Sequence, residues 1–249
     1  YGSPLFVYSE KRLRENERNL LRAFQTRYPN VIHGWSYKTN YLGAICNVLH
    51  DEGAWAEVVS EYEYQKARML GVPGEYIIFN GPCKGKEILA QAIDEGARIH
   101  VDHLDELFMI ERLANDKDRK VPVTIRLNFN TGYTEPWSRF GLNIESGQAM
   151  DVARRIGQSE HLILRGLHSH IGTFVLDPNA YGAQVQIMCD FMNAVEAQTD
   201  AEIDYIDIGG GFASQNALQG IYLPPEQVVP TVDQYAETIC GVLHSALSG

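Results

Sequence analysis

The chain has 249 residues, of which 45% are hydrophobic, and carries 21 Lys and Arg against 32 Asp and Glu, a formal net charge of −11 at pH 7. This length suits one α/β barrel domain or two small domains. The negative charge argues against a nucleic-acid partner, and no apolar run approaches the ~18 residues that a membrane span needs. The start shows no signal-peptide pattern. We therefore expect an enzyme of small molecules, without nucleic-acid or membrane partners.

The cysteines favour a reducing compartment. Cys46, Cys83, Cys189 and Cys240 are widely separated, and they show neither metal-site spacing nor the density of a disulfide framework. We interpret them as reduced thiols of a cytoplasmic protein.

Short apolar runs alternate along the chain with amphipathic helical stretches, which is typical of a parallel sheet with crossover helices. A lone strand over residues 5–8 precedes the alternation, and Ser9 is the predicted N-cap of the first helix. The predicted helices are 10–27, 42–50, 62–70 (capped by Ser60), 86–96, 104–115, 146–159, 181–199 and 232–247. The predicted strands of the alternating series are 31–38, 55–59, 76–80, 98–102, 121–128, 162–172 and 203–208.

Two loops stand out between these elements. The loop 130–141 is long for a compact domain, and loops of that length are more often functional than incidental. The segment 222–230 is predicted to be a proline-containing loop.

The series contains seven β/α units, and a closed (β/α)8 barrel needs eight strands. An open, doubly wound sheet is the alternative topology. We favour a barrel without its eighth strand, because residues able to do chemistry follow strand after strand at the carboxyl ends. That is where a barrel places its active site, whereas a doubly wound sheet has a single switch point.

Lys38 is the first of these residues. It ends an apolar strand-like run, so we expect partial desolvation that favours its neutral amine. A neutral lysine amine attacks carbonyl groups, and a Schiff base with an aldehyde cofactor is its commonest use. The alternative is a solvated lysine at a strand end.

A glycine run follows the last strand. Gly209, Gly210 and Gly211 leave backbone N–H groups free to approach a phosphate, and barrels commonly bind phosphate after strand seven or eight. A simple flexible turn is the alternative. Thr173, which follows the sixth strand, adds a hydroxyl group toward the same anion.

Several charged or aromatic side chains have two possible roles. His170 can stack on a planar cofactor or donate a proton, and His168 points the same way because strands have a period of two; either can instead be structural. Glu57 and Arg126 can form a structural ion pair or tune the pKa of Lys38. Arg139 can bind a carboxylate or remain a solvated loop arginine.

Six segments carry a family resemblance in their order and spacing. They are YKTN at 37–40, IIFNGPCK at 77–84, VDHLDEL at 101–107, SRFG at 138–141, HIGT at 170–173 and DIGGGF at 207–212. Together they resemble the fold-type III pyridoxal-phosphate decarboxylases, which include diaminopimelate, ornithine and arginine decarboxylases. The resemblance runs from residue 1 to about residue 247.

The resemblance implies a pyridoxal 5'-phosphate cofactor and a role for each site residue. The implied catalytic residues are Lys38 (the Schiff-base lysine), His170 (the imidazole stacked on the pyridine ring) and Glu57 (the acid near the lysine). The implied cofactor-binding residues are Lys38, His170, Arg126 and a phosphate cradle of Thr173, Gly209, Gly210 and Gly211. Arg139 is the implied substrate residue. The family more often has serine at position 173 and lysine at position 139.

The implied activity is decarboxylation of an amino acid, with diaminopimelate as the first candidate substrate. An amino-acid racemase on the same barrel is an alternative, although its lysine segment is less similar, and a non-catalytic relative is another. A metal enzyme is disfavoured, because His168 and His170 are two residues apart and the sequence places no third ligand.

The family continues with an eighth strand carrying Glu-Pro-Gly-Arg and with a β-domain, and neither is found here. We therefore expect residues 9–249 to be the truncated barrel of a longer enzyme, after a leading strand at 1–8. The full-length enzyme is expected to be a homodimer, and this chain alone to have little decarboxylase activity.

Overall fold

A computed structural model of the chain describes residues 2–215 and 224–248. Its helices are α1 (Glu10–Gln25), α2 (Gly43–Asp51), α3 (Glu61–Met69), α4 (Lys86–Asp94), α5 (Leu104–Asp116), α6 (Gln148–Gly157), α7 (Pro178–Gln198), α8 (Pro225–Val228) and α9 (Val232–Leu247). Its strands are β1 (Gly34–Ser36), β2 (Trp55–Val58), β3 (Ile77–Phe79), β4 (Arg98–Val101), β5 (Val121–Asn128), β6 (Leu142–Asn143), β7 (Leu162–Ser169) and β8 (Tyr205–Asp207).

The strands form one parallel sheet in the order β1-β2-β3-β4-β5-β7-β8, with β6 paired to β5 off this path. Apart from β6, each strand lies beside the one that precedes it in the sequence, so the sheet has no switch point. The doubly wound alternative is therefore wrong, and the barrel-type sheet of seven main strands is confirmed. Among the described strands, β1 and β8 are the two edges of this curled sheet.

Side-chain caps fix where two of the helices begin. Ser9 is the N-cap of α1 and accepts a hydrogen bond from Arg12 N, and Ser60 caps α3 by accepting one from Glu63 N. Both predicted caps are confirmed. Such caps satisfy backbone donors that the first helical turn leaves free, typically worth ~1 kcal/mol each.

The core lies between the sheet and the helices that cover it. Ile77, Phe79, Ile99, Ile125 and Leu167, from four neighbouring strands, are almost fully buried. Burial on both faces explains the many apolar residues of these strands, which polar side chains such as His100, Arg126 and His168 interrupt. The packed sheet provides a rigid support for the residues at its carboxyl edge.

The predicted strand at residues 5–8 is not formed. Leu5, Phe6, Val7 and Tyr8 are exposed and have no strand geometry, because no described strand lies beside them to exchange backbone hydrogen bonds. The apolar pattern is that of a strand, but a strand needs a neighbour.

Several predicted strands are too long. The predicted first strand, 31–38, shortens to β1, whose register partners on β2 run from Trp55 to Glu57, and Lys38 falls in a turn beyond it. Similarly, β7 ends at Ser169 and β8 covers only three residues. Apolar residues continue past the last backbone pair, so composition alone overruns the strand end.

Three short elements were missed, one of them a 3-10 helix at Gly74–Tyr76. The strand β6 follows the long loop 130–141, and the helix α8 occupies part of the predicted loop 222–230, of which residues 222 and 223 lie outside the described residues. Elements this short have no hydrophobic period of their own. Separately, none of the helices in the described ranges is both long and apolar enough to cross a membrane.

Candidate active site

The carboxyl ends of the parallel strands gather polar side chains at one rim of the sheet. In strand order these are Lys38, Glu57, Asn80, Asp102, Arg126, His170 and the glycines from Gly209 to Gly211. Because neighbouring parallel strands end at the same edge, residues far apart in the sequence become neighbours there.

Lys38 is exposed, so the predicted partial desolvation is wrong. The turn that follows β1 places the preceding residue, Tyr37, in the core, where its hydroxyl group lies 2.8 Å from His50 Nε2. Lys38 then projects outward. Its ammonium group makes no hydrogen bond or ion pair within residues 2–215 and 224–248, so no described side chain competes for it.

A residue of the neighbouring strand β1 holds the Glu57 side chain in place. Ser36, its register partner on β1, donates a hydrogen bond of 2.5 Å to Glu57 Oε2. The other carboxylate oxygen, Oε1, is buried and has no hydrogen-bond partner in the described structure. An unpartnered buried acceptor is costly, and at a rim of this kind it is positioned to receive a proton donor.

His170 is a neutral imidazole. Burial, followed by the positive charge of Lys38, lowers its pKa from 6.5 to about 4. Gly210 N–H donates to Nδ1 at 3.4 Å, so the ring proton is on Nε2. The indole of Trp137, from the loop 130–141, packs edge-on against this ring with centroids 5.1 Å apart. The influence of the Lys38 charge shows that the two side chains share one region.

The glycine loop after β8 has a backbone that only glycine adopts readily. Gly209 and Gly211 have φ of +68° and +95°. A Cβ at Gly209 would lie 2.9 Å from Ser169 O, and one at Gly211 would overlap the carbonyl oxygen of Gly172. The loop thus passes close to the turn after β7 and leaves no room for side chains on either glycine.

Two of the three predicted amide donors are already engaged. Gly209 N–H donates to Asp207 Oδ1 at 2.7 Å, and Gly210 N–H donates to His170. For Gly211 N–H, the described residues supply no acceptor. The expectation of three free amides is therefore too generous: Gly211 is the donor that is left for an anion.

Arg126 pairs with Asp102 rather than with Glu57. Its guanidinium lies 3.2 Å from Asp102 Oδ1, both side chains are buried, and it stacks over Phe140 at 4.7 Å. Burial lowers the pKa of Arg126, and Asp102 opposes that shift. The proposed Glu57–Arg126 ion pair is not observed.

Arg139 and Thr173 lie at the exposed part of the rim. Arg139 is on the loop 130–141, with its guanidinium 5.9 Å from the ring of Phe140. That loop is fixed at both sides of the arginine, since Thr134 donates to Ile171 O at 3.0 Å and Asn128 donates to Phe140 O at 2.8 Å. Their predicted roles in binding substrate and phosphate stay predictions.

Sequence reasoning missed a buried cluster beneath the rim. One ligand-type atom from each of His100, His168 and Asp207 lies within 4.8 Å of the other two. Burial lowers the pKa of His100 well below its usual value, and both of its ring nitrogens lack a hydrogen-bond partner in the described structure. Burial tends to raise the pKa of Asp207, but His168 and His100 lower it further, so Asp207 is an anion. The period of two along β4 places His100 on the same side as Asp102, which is the signal that was available.

The sheet order and its rim define a barrel domain that gathers a free amine, a neutral imidazole and a glycine loop at one mouth. Residues 14–247 match the family described as the pyridoxal-binding domain of pyridoxal-dependent decarboxylases, and the chain belongs to that family.

Individual relatives agree with this assignment. Diaminopimelate decarboxylase of Methanothermobacter thermautotrophicus is 31% identical over 257 residues, covering 100% of this chain and 57% of the relative. The crystal structure of diaminopimelate decarboxylase from M. jannaschii in complex with L-lysine superposes with a TM-score of 0.87 at 26% identity, covering 100% of this chain and 58% of that one. A lysine/ornithine decarboxylase from Vibrio vulnificus shares the fold, with a TM-score of 0.70 at 24% identity over 94% of this chain and 58% of its own. The chain thus spans somewhat more than half the length of these relatives.

The cofactor of this family is pyridoxal 5'-phosphate, and the residues present fit it. Its aldehyde would need an amine without a protein partner, and Lys38 fits that need. Its planar ring could stack on a flat neighbour, and the His170 imidazole has that shape. Its phosphate needs a side-chain-free approach to backbone N–H groups, and the loop after β8 has no room for a side chain at Gly209 or Gly211.

Proposed function

We propose that this chain is the cofactor-binding barrel of an amino-acid decarboxylase whose substrate is diaminopimelate. The observation that carries the proposal is the meeting of Lys38, His170 and the glycine loop at one rim. The family supplies the cofactor, and relatives such as the M. thermautotrophicus enzyme carry the name of this activity.

The residues at the rim divide the work of holding the cofactor. Lys38 offers its amine to the aldehyde carbon, His170 presents a ring face to the pyridine, and Gly211 N–H with the Thr173 hydroxyl group binds the phosphate. When bound, pyridoxal phosphate accepts the electron pair left on the α-carbon as CO₂ departs.

Glu57 and Arg139 are proposed to act on protons and on substrate. Glu57 Oε1 is a buried acceptor without a partner, so it can accept and hold a proton from an amine that enters the site. Arg139 lies exposed on a loop that is fixed to the barrel, which suits it to bind a substrate carboxylate with paired N–H donors.

The choice of diaminopimelate rests on its chemistry. Removing one carboxyl group from diaminopimelate yields lysine, and the M. jannaschii relative was crystallised with L-lysine. Diaminopimelate keeps a second carboxylate far from the reacting carbon, and a cation such as Arg139 at the mouth suits that group. For the full-length protein we propose a homodimer, as in the resemblance above.

The first experiment locates the cofactor. The purified chain is mixed with pyridoxal phosphate, reduced with borohydride, and mapped by peptide mass spectrometry. We expect the reduced label on Lys38, its loss in Lys38→Ala, and its retention in Lys86→Ala, whose lysine is exposed on α4. A label spread over exposed lysines, with none favoured, would count against the proposal.

A second experiment identifies the reaction in the full-length protein. Carboxyl-labelled diaminopimelate should release CO₂, whereas a racemase would exchange the α-proton with solvent and keep the label. Exchange without CO₂ release would replace the decarboxylase proposal with the racemase alternative.

A further inference from the structure

Three polar side chains from three strand ends lie in line beneath the rim. Asn80 Nδ2 lies 2.9 Å from His168 Nε2. His168 Nδ1 lies 3.3 Å from Asp207 Oδ1, a charge contact in which Nδ1 has no hydrogen-bond partner among the described residues. The same Asp207 oxygen accepts the N–H of Gly209 at 2.7 Å. The line therefore runs from the loop after β3 to the first glycine of the loop after β8.

Backbone geometry determines where the imidazole proton of His168 lies. Gly81 N is 2.9 Å from Asn80 Oδ1, and because a backbone N–H only donates, the atom facing it is the amide oxygen. The amide nitrogen of Asn80 then faces His168 and also only donates. Nε2 of His168 must accept, so its single ring proton is on Nδ1, the nitrogen that lies nearer Asp207.

Charged and aromatic groups from several strands surround this ring. Arg126 on β5 is the register partner of His168, and the His100 ring on β4 lies with its centroid 4.8 Å away. Lys84 adds another positive charge, which helps to lower the His100 pKa. Asp207, from β8, is the anion that meets His168 directly.

The end of this line at Asp207 determines which backbone N–H groups of the glycine loop stay free. Gly209 N–H is directed at Asp207, which leaves Gly211 as the amide that can meet an anion. Gln184 on α7 supports the same arrangement, since its Nε2 donates to Ser169 O at 3.0 Å and to Ile208 O at 2.9 Å. These two carbonyl groups immediately precede His170 and Gly209.

We propose that Asn80, His168 and Asp207 form a positioning relay, in which His168 is neutral with its proton on Nδ1, and that this relay orients the glycine loop for phosphate. The assignment of phosphate as the ligand rests on the proposed function, whereas the proton arrangement of the relay does not. A divalent metal held by His100, His168 and Asp207 is the competing interpretation, and it would require His168 Nδ1 without a proton.

An NMR measurement on the wild-type chain tests the proton arrangement and needs no cofactor. In ¹⁵N-histidine-labelled protein at pH 7, the two-dimensional imidazole spectrum should show His168, assigned by its loss in His168→Gln, as the Nδ1–H tautomer, unchanged by added Zn²⁺. A doubly protonated ring, an Nε2–H tautomer, or a His168 shift on adding Zn²⁺ would overturn the relay. None of these outcomes depends on whether the chain binds pyridoxal phosphate.

Asn80→Asp tests the link to phosphate. The new carboxylate accepts where the amide donated, so His168 should take a second proton, visible in the same spectrum. A positively charged ring would attract Asp207 away from Gly209 N–H. Labelling of Lys38 should then lose about tenfold of its preference for pyridoxal phosphate over pyridoxal, the scale of one hydrogen bond. Asn115→Asp, which adds the same charge at an exposed site, should change neither measurement.

Two outcomes separate the relay from the proposed function. In Asn80→Asp, a doubly protonated His168 with an unchanged preference for pyridoxal phosphate would overturn the positioning role. In the wild type, equal labelling by pyridoxal phosphate and pyridoxal would overturn the proposed function without contradicting the relay.

Discussion

Lys84 Nζ lies 2.6 Å from Glu106 Oε1, and the two side chains are 0% and 2% exposed. The same ammonium group donates to Gly81 O at 2.6 Å and to His100 O at 2.8 Å, so all three of its protons are used. Burial lowers the pKa of Lys84, and Glu106 opposes that shift. This ion pair ties the loop after β3 to β4 and α5, directly beneath the candidate active site.

Lys84→Met should lower the free energy of unfolding by about 3–5 kcal/mol, because Glu106 would remain buried without its cation. The matched control is Lys86→Met, two residues along the chain at an exposed position, which should stay within about 0.5 kcal/mol of the wild type. Urea unfolding followed by circular dichroism measures both. Equal effects of the two substitutions would show that the buried ion pair does not hold the fold.

Gly211→Ala should destabilise the chain by more than about 1 kcal/mol, since its φ of +95° is unfavourable for alanine and its Cβ would overlap the Gly172 carbonyl group. Gly210→Ala is the control, because a Cβ there has no atom within 4 Å. Thermal unfolding compares the two variants. Labelling of Lys38 by pyridoxal phosphate should fall more in Gly211→Ala than in Gly210→Ala. A tolerated Gly211→Ala would contradict the described loop.

Ser36→Ala should cost about 1–3 kcal/mol of unfolding free energy, because it would leave both oxygens of the Glu57 carboxylate without a side-chain donor. A double-mutant cycle isolates this contribution. In a Glu57→Ala background the serine has no carboxylate to serve, and Ser36→Ala should then cost less than about 0.5 kcal/mol. The same cost in both backgrounds would assign the effect to packing.

His170 should titrate near pH 4 rather than near 6.5. Its folded-state pKa lies below the unfolded value, so between these values the unfolded chain binds more protons, and stability should fall as the pH drops from about 6.5 toward 4. An NMR titration of the imidazole Cε1–H measures the midpoint directly. His170→Gln should flatten the dependence of the urea midpoint on pH over the same interval. A His170 midpoint near 6.5 would show that the ring is not held in the half-buried position beside Lys38 that the structure describes.

The prediction of the fold from the sequence succeeded where a pattern repeats. Alternating apolar runs and helical spacings gave all seven main strands, and α9 has the predicted bounds. Strand ends were less accurate, as with β1, because a strand stops where its partner stops and the partner is distant in the chain. The exposed segment 5–8 shows the same dependence: its apolar pattern has no described neighbour to pair with.

For the candidate site as well, some features followed from the sequence and others only from the tertiary structure. The sequence by itself determined the order of strands and helices, the caps Ser9 and Ser60, and which residue types follow each strand, because these depend on local pattern. Only the tertiary structure decided that Lys38 is exposed, that Arg126 pairs with Asp102, and that His168 meets Asn80 and Asp207. The contact between Asn80 and His168 joins residues 88 positions apart. Hydrogen bonds and desolvation depend on distances in space, and a sequence gives those distances only after the sheet has brought its strands side by side.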